Sequence, residues 1–283
     1  MKHPAIVENA VAVVTGGASG IGLASAMRFA AMGLKVWIAD LGSERLAKAA
    51  EMIVRQASGG PESVMTSETD VSDVGALQAL KRAVDARFGG TDILMNNAGI
   101  QPGSGIFGPA ENWQRVMAVN LWGVVHGTQV FVPDMIARGR PGLVINTGSK
   151  QGITTPPGDP AYNVSKAGVK VFTEALAHEL RNMADCRIPA HLLIPGFVFT
   201  ELSAHGRTEK PSGAWTADAT ADFMLEKIGA GEFYILCPDN DVPRSLDEKR
   251  IAWAAGDIIE NRPPLSRWHR DFGDAFADFV KKG

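Results

Sequence analysis

Along the first two thirds of the chain, short apolar runs alternate with longer segments whose apolar residues recur at helical spacing. Residues 11–15, 35–40, 92–95, 143–147 and 188–194 are brief runs dominated by aliphatic side chains. Runs of that length without strict alternation suit strands buried on both faces. Between the first two, Ile21, Ala24, Met27 and Ala31 mark one stripe of a helix over 21–32. Segments 44–57, 73–88, 111–137 and 161–183 have helical length and patterning, and Ser43 stands where it would cap the first of them. Strands separated by helices of this length need crossover connections. The pattern therefore predicts an α/β fold, a doubly wound parallel sheet covered on both faces.

The alternation lapses between residues 200 and 215, where 205–213 are polar or chain-breaking. A loop placed just after a core strand reads either as a mobile lid over a cleft or as a plain surface loop. A helix over 217–228, a strand over 233–237 and a helix over 243–259 resume the pattern. Phe272, Phe276 and Phe279 then recur at helical spacing and should pack on the chain's own core or on a neighbour's. A length of 283 residues fits one large domain. The expected division of residues 1–283 is an α/β core over 8–200, a lid over 201–215, and a C-terminal helical extension over 216–283.

Composition removes several classes of function. With a net charge of −3 there is no basic field to hold a nucleic-acid backbone. The densest basic stretch, 262–270, also carries Pro263, Pro264 and Trp268 and reads as a packed turn. Cys186 and Cys237 have neither metal nor disulfide-framework spacing and are expected to be reduced thiols. No His, Cys and carboxylate set has ligand spacing, so no metal site is expected. His126 reads as a satisfied interior or interface residue and His178 as a surface one, while His205 falls in the lid, where it would reach substrate. No apolar run is long enough to span a bilayer, and no signal segment opens the chain, so a cytoplasmic enzyme is expected.

Three groups of residues carry chemistry. The first is Thr15-Gly16-Gly17-Ala18-Ser19-Gly20-Ile21-Gly22, between a predicted strand and a predicted helix. Glycines there let the backbone turn tightly and approach a pyrophosphate, while the helix N-terminus offers free N–H groups and a positive dipole. A ligand-free glycine turn is the competing reading. Asp40 ends the next strand, 18 residues beyond Gly22. A carboxylate in that place accepts hydrogen bonds from both ribose hydroxyls and repels a 2′-phosphate. Leu41 and Ala18 supply no cation, and Arg45 lies inside the next helix. NAD is therefore expected over NADP. The second group is Tyr162 and Lys166, four apart and so on one helix face. An adjacent ammonium is expected to lower the tyrosine pKa and make the phenol a usable proton donor or acceptor. The third is Ser149, just past the predicted strand 143–147, where ligands of doubly wound sheets collect.

Taken with Asp70-Val71, Asn96-Asn97-Ala98-Gly99, Asn120, Tyr162-Asn163-Val164-Ser165-Lys166 and Pro195-Gly196 through Thr200, these motifs occur in an order that resembles the short-chain dehydrogenase/reductase family over residues 8–200. The resemblance implies a single-domain, Rossmann-like NAD-dependent oxidoreductase moving a hydride between nicotinamide and a small-molecule alcohol or carbonyl. In that reading Tyr162 is the general acid/base and Lys166 lowers its pKa and binds the nicotinamide ribose. Ser149 bonds the substrate oxygen, and Asn120 holds a water that links Lys166 to solvent. Gly16, Ser19, Gly20, Ile21 and Gly22 cradle the pyrophosphate. Asp70 and Val71 flank adenine, and Asn97, Ala98 and Gly99 line the cleft. Pro195, Gly196, Val198 and Thr200 lie along nicotinamide.

Departures from the family pattern bear on substrate and assembly. Lys150 and Gln151 follow Ser149 where many relatives carry small residues. A Lys150 ammonium in the pocket would favour an acidic or polyhydroxyl substrate, the other reading being a solvated loop lysine. Gln101 is a further candidate polar contact, and Phe197, Phe199, Leu202 and Trp215 suggest an apolar wall. The extended C-terminus makes the family tetramer less expected than a homodimer through helices 111–137 and 161–183. NAD preference favours alcohol oxidation. The alternatives are an NADPH-dependent carbonyl reductase, a non-enzymatic NAD sensor that keeps the fold, a lyase or epimerase, and an enoyl reductase. Retention of Ser149, Tyr162 and Lys166 weighs against the sensor. The short 201–283 segment weighs against the lyase, and the four-residue Tyr–Lys spacing against the enoyl reductase.

Overall fold

The computed structural model describes residues 3–204 and 206–281, which leaves His205 outside the described residues. Seven parallel strands form one sheet in the order β3-β2-β1-β4-β5-β6-β7. They are β1 (Val11–Thr15), β2 (Lys35–Asp40), β3 (Val64–Glu68), β4 (Ile93–Asn96), β5 (Leu143–Thr147), β6 (Ala190–Ile194) and β7 (Tyr234–Leu236). Every residue of β1, β4, β5 and β6 is buried, as expected of strands with helices on both faces. The strand order reverses between β1 and β4. In open α/β sheets that is where the carboxyl ends of the strands leave a crevice.

The helices are α1 (Gly20–Ala31), α2 (Ser43–Val54), α3 (Val74–Phe88), α4 (Ala110–Val116), α5 (Gly123–Ala137), α6 (Gln151–Thr154), α7 (Pro160–Asn182), α8 (Glu201–Ala204), α9 (Ala217–Gly229), α10 (Arg244–Ile259) and α11 (Gly273–Lys281). One face of the sheet is sealed by Phe29 of α1, Ile53 of α2 and Met224 and Ile228 of α9. The other is sealed by Leu77 and Val84 of α3, Phe131 and Met135 of α5 and Leu180 of α7. Burying an aliphatic or aromatic side chain of this size contributes roughly 1.5–3 kcal/mol each, so these two layers dominate cohesion.

Four local features depart from the sequence pattern. β3 was not anticipated: it is an edge strand paired only with β2, its side chains after the buried Val64 alternate between half-buried and exposed, and its residues are mostly polar. Ser43 lies inside α2 rather than capping it. Gly42 takes the cap position, with no side-chain hydrogen bond. The single helix expected over 111–137 is interrupted at Met117–Trp122 by a π-helical turn that carries Asn120. The lid opens on the one-turn helix α8.

The tail packs on its own chain. Trp253 of α10 meets Phe276 and Phe279 of α11 at 5.3 Å between ring centroids, and the Arg262 guanidinium lies 3.9 Å above its ring. Its indole N–H donates to Ser266 at 2.7 Å. Phe272 stacks edge-on against His269 instead.

Candidate active site

One cleft of about 750 Å³ opens at the carboxyl ends of the central strands. Its floor on one side is the glycine turn between β1 and α1. Gly16 and Gly20 adopt φ of +64° and +53°, which L side chains rarely tolerate. A Cβ on Gly16 would stand 2.7 Å from the Ala98 backbone, and one on Gly22 would overlap the Gly16 carbonyl oxygen. The first turn of α1 has no side-chain cap: Ser19 occupies the cap position, but its hydroxyl bonds none of the helix N–H groups. Those donors and the helix dipole therefore face the cleft, a fit for a bound pyrophosphate.

Asp40 ends β2 at the same rim. One of its oxygens accepts from the Ala18 N–H at 2.9 Å and the other from the Leu41 N–H at 2.8 Å. Each oxygen retains acceptor capacity, so the carboxylate is oriented by the turn and still available to ribose hydroxyls. Asn97 ties three strand ends together. Its N–H donates to Thr15 Oγ1 at 3.0 Å, its amide nitrogen donates to the Gly16 carbonyl at 3.1 Å, and its amide oxygen accepts from Thr147 at 3.1 Å. Beneath it, buried Asn96 donates to Asn146 at 2.9 Å, and Asn146 donates to Thr173 at 3.0 Å.

Ser149, Tyr162 and Lys166 enter the cleft from the other side. Ser149 follows β5, and the phenol and ammonium project from the first two turns of α7. Lys166 Nζ donates to the Thr147 carbonyl at 2.8 Å and lies 5.7 Å from the Tyr162 ring centroid. Burial holds the Tyr162 pKa up at about 12, with a Ser149 hydrogen bond pulling it down and Asp159 pushing it further up. Burial lowers Lys166 to about 8. The expected acidification of the phenol by its neighbour is thus not what dominates: loss of solvent outweighs it, and the ammonium is directed at a carbonyl.

The remaining candidate residues sort by location. Ser19, Ile21, Asp70, Val71, Ala98, Gly99, Gln101, Gln151, Pro195, Gly196, Phe197, Val198 and Thr200 line the cleft, whereas Gly22 and Asn120 lie behind its wall. Asn120 is buried on the π turn, where its amide clamps Ile100 by accepting from the N–H at 2.8 Å and donating to the carbonyl at 2.9 Å. Of the suggested apolar wall, Phe197 and Leu202 line the cleft, while Trp215 packs edge-on against Phe223 instead. Lys150 is neither a solvated loop residue nor an unneutralised cation. Its ammonium lies 3.2 Å from Asp239 and 2.5 Å from Asp247. His126 was expected to be satisfied, yet its buried Nδ1 has no hydrogen-bond partner and its ring stacks on Trp122.

Two features of the site refine the sequence reading, which sets Arg45 aside as a residue inside the next helix. Arg45 reaches the cleft from α2, donating to Ser19 Oγ at 3.0 Å and pairing with Glu201 of α8 at 2.8 Å. Arg207 and Ser203 approach it from the lid. An exposed arginine on α2 and a glutamate 156 positions later meet only once the chain has folded. Among the described residues no group of His, Cys and carboxylates could hold a metal ion, and no helix is long and apolar enough to cross a membrane.

A model of short chain dehydrogenases matches residues 10–211. The chain is 36% identical over 228 residues to 3-oxoacyl-(acyl-carrier-protein) reductase FabG of Thermotoga maritima, covering 80% of this chain and 85% of that one. It is 30% identical over 271 residues to 1-deoxy-11-beta-hydroxypentalenate dehydrogenase of Streptomyces exfoliatus, covering 93% and 95%. A short chain dehydrogenase/reductase from Burkholderia phymatum, solved in complex with NAD, superposes with a TM-score of 0.81 at 32% identity, covering 91% of this chain and 96% of that one.

Proposed function

The chain belongs to the short-chain dehydrogenase/reductase family of oxidoreductases, and from that premise we propose that it is an NAD-dependent enzyme that interconverts an alcohol and a carbonyl compound. The observation that carries the reading is the meeting of two independent groups in one cleft: the uncapped glycine turn with Asp40, and Ser149 with the buried Tyr162 and Lys166.

NAD(H) supplies the hydride when bound. The protein's part is binding, orientation and proton handling. Asp40 accepts from the adenosine ribose hydroxyls and repels a 2′-phosphate, and the NAD-bound Burkholderia phymatum relative supports this choice of nucleotide. Tyr162, proton-loaded at neutral pH, donates to the developing oxyanion of a carbonyl substrate and takes the proton back from an alcohol. Ser149 donates a hydrogen bond to the same oxygen. Lys166 holds the nicotinamide ribose, and Asn120 keeps the Gly99-Ile100 backbone in place beside that ammonium. Gln101, Gln151 and Phe197 face the substrate side.

A screen of alcohols with NAD, followed by NADH absorbance, tests the reading. Tyr162→Phe should lower turnover of any active substrate by about 10²- to 10⁴-fold while nucleotide binding stays measurable. Turnover by Tyr162→Phe at the unaltered rate would overturn it, and nucleotide binding with no turnover of any substrate would favour the sensor. We further propose a cytoplasmic homodimer through α5 and α7, where Trp122 on the preceding turn and Val164 and Val171 are exposed apolar residues. Light scattering at micromolar concentration would refute it by returning a monomer.

A further inference from the structure

We infer that Lys150, Asp239 and Asp247 form a buried charge clasp through which the C-terminal segment positions the nicotinamide side of the cleft, making Lys150 a positioning residue for the hydride transfer proposed above, on which this inference rests. Two carboxylates from the C-terminal segment, 89 or more residues beyond it in the chain, converge on the Lys150 ammonium. It lies 3.2 Å from Asp239 Oδ2, in the turn after β7, and 2.5 Å from Asp247 Oδ2, in the first turns of α10. The three side chains are 17, 7 and 5% exposed, so water does not compete for these bonds.

The clasp is built into the cleft wall. Lys150 follows Ser149 directly, and its own N–H donates to the Pro195 carbonyl at 3.3 Å. The Asp239 oxygen that binds the ammonium also accepts the Phe197 N–H at 3.3 Å. Gly196 passes so close to both that a Cβ on it would stand 2.7 Å from Lys150 Nζ and 2.7 Å from Asp239 Oδ2. The segment expected along nicotinamide, Pro195 to Phe197, is thereby held to the Ser149 loop by one carboxylate and one ammonium.

The same turn also grips the root of the lid. Asn240 donates from its amide nitrogen to the Ser212 carbonyl at 2.6 Å and from its N–H to the Gly213 carbonyl at 3.1 Å. Release of Asp239 therefore loosens the loop that ends at Ala214 as well as the floor beneath Phe197. Arg250 and Arg267 stand behind Asp247, line a small cavity with Lys150 and balance the second carboxylate. A buried ion cluster adds little net stability over apolar residues of the same volume. What this one supplies is geometry: it ties together the loops that follow β5, β6 and β7, beyond the point where the pairing of those strands ends.

The test compares Lys150→Met and the paired variant Lys150→Met/Asp247→Leu with the wild type. The single variant leaves two buried carboxylates without their lysine and should melt lower. The paired variant removes a charge of each sign and should recover the melting temperature, which keeps the experiment readable if the first folds poorly. In the folded paired variant, NADH affinity should fall about ten-fold and kcat should fall more than KM for substrate rises, because misplacing the nicotinamide floor acts on the reacting geometry. Tryptic cleavage after Arg207, exposed in the lid, should accelerate by at least about ten-fold, since it tracks local opening. A folded paired variant with NADH affinity and lid cleavage within two-fold of wild type would overturn the clasp. If wild type itself binds no nucleotide, the proposed function fails, and the cleavage rates alone still decide whether the clasp holds the lid.

Discussion

The two halves of the cleft are held by different kinds of force. On the nucleotide side, positions are set by close backbone approach and short hydrogen bonds: Gly16 against Ala98, Gly22 against Gly16, Asn97 bonded to the ends of β1 and β5. On the C-terminal side, side-chain ion pairs join segments that close the cleft: Lys150 to Asp239 and Asp247, and Arg45 to Glu201. Backbone contacts have no soft coordinate, whereas the ends of long side chains move at small cost. The nucleotide half should therefore be intolerant and rigid, and the closing half adjustable.

A pair of glycine variants breaks or sharpens this contrast most strongly. In Gly22→Ala the new methyl meets the Gly16 carbonyl and the Asn97 amide, and neither can give way without undoing the turn. Nucleotide binding measured by calorimetry should weaken by about a hundred-fold or more, and stability should fall by roughly 1–3 kcal/mol as for other overpacked sites. In Gly213→Ala, at the root of the lid, the obstacle is the carboxylate end of Asp241, which can swing aside. Its stability should change by less than about 1 kcal/mol. Equal losses in the two proteins would erase the distinction.

A second test titrates the rigid half. Burial lowers the Lys166 pKa to about 8. Between pH 8 and the value of an unfolded lysine near 10.5, the unfolded chain holds a proton that the folded chain has released. Stability should therefore rise with pH across that window, by on the order of 3 kcal/mol from this group. Tyr162 acts in the opposite sense and higher up: with its folded value near 12, it withdraws stability as pH climbs from 10 to 12. Thermal melts of Lys166→Met against wild type should show the first rise abolished. A parallel pH dependence in both proteins would mean that Lys166 is hydrated.

How much was legible beforehand follows the same division. β1, β4, β5 and β6 announced themselves because burial on both faces demands an uninterrupted apolar run. The glycine turn, Asp40, Ser149 and the Tyr162–Lys166 pair were readable because local spacing places them at strand ends or on one helix face. β3 was silent, since an edge strand of Val, Met, Thr, Ser and Glu buries only Val64 fully and needs no apolar run. The π turn at Met117–Trp122 leaves no periodic trace. The partners of Lys150 could not be read at all: Asp239 is 89 residues away and meets it only through tertiary folding. Spacing also showed that Tyr162 and Lys166 are neighbours but not that both are buried, which decides the direction of their pKa values.

The smallest expected effect lies where the two halves touch. Arg45 belongs to the nucleotide half and lies beside Ser19, where a cation bears on the charge at the adenosine end, yet it is paired with Glu201 from the closing half. Both side chains are largely exposed, so the pair is weak and screened by salt. Glu201→Gln removes the neutralising carboxylate without shortening the side chain. A 2′-phosphate near Asp40 would then meet an uncompensated guanidinium, and kcat/KM with NADP should rise about three-fold, with NAD changing less and the gain vanishing at high salt. If NADP use does not move, Arg45 takes no part in reading the nucleotide, and discrimination rests on the Asp40 carboxylate alone.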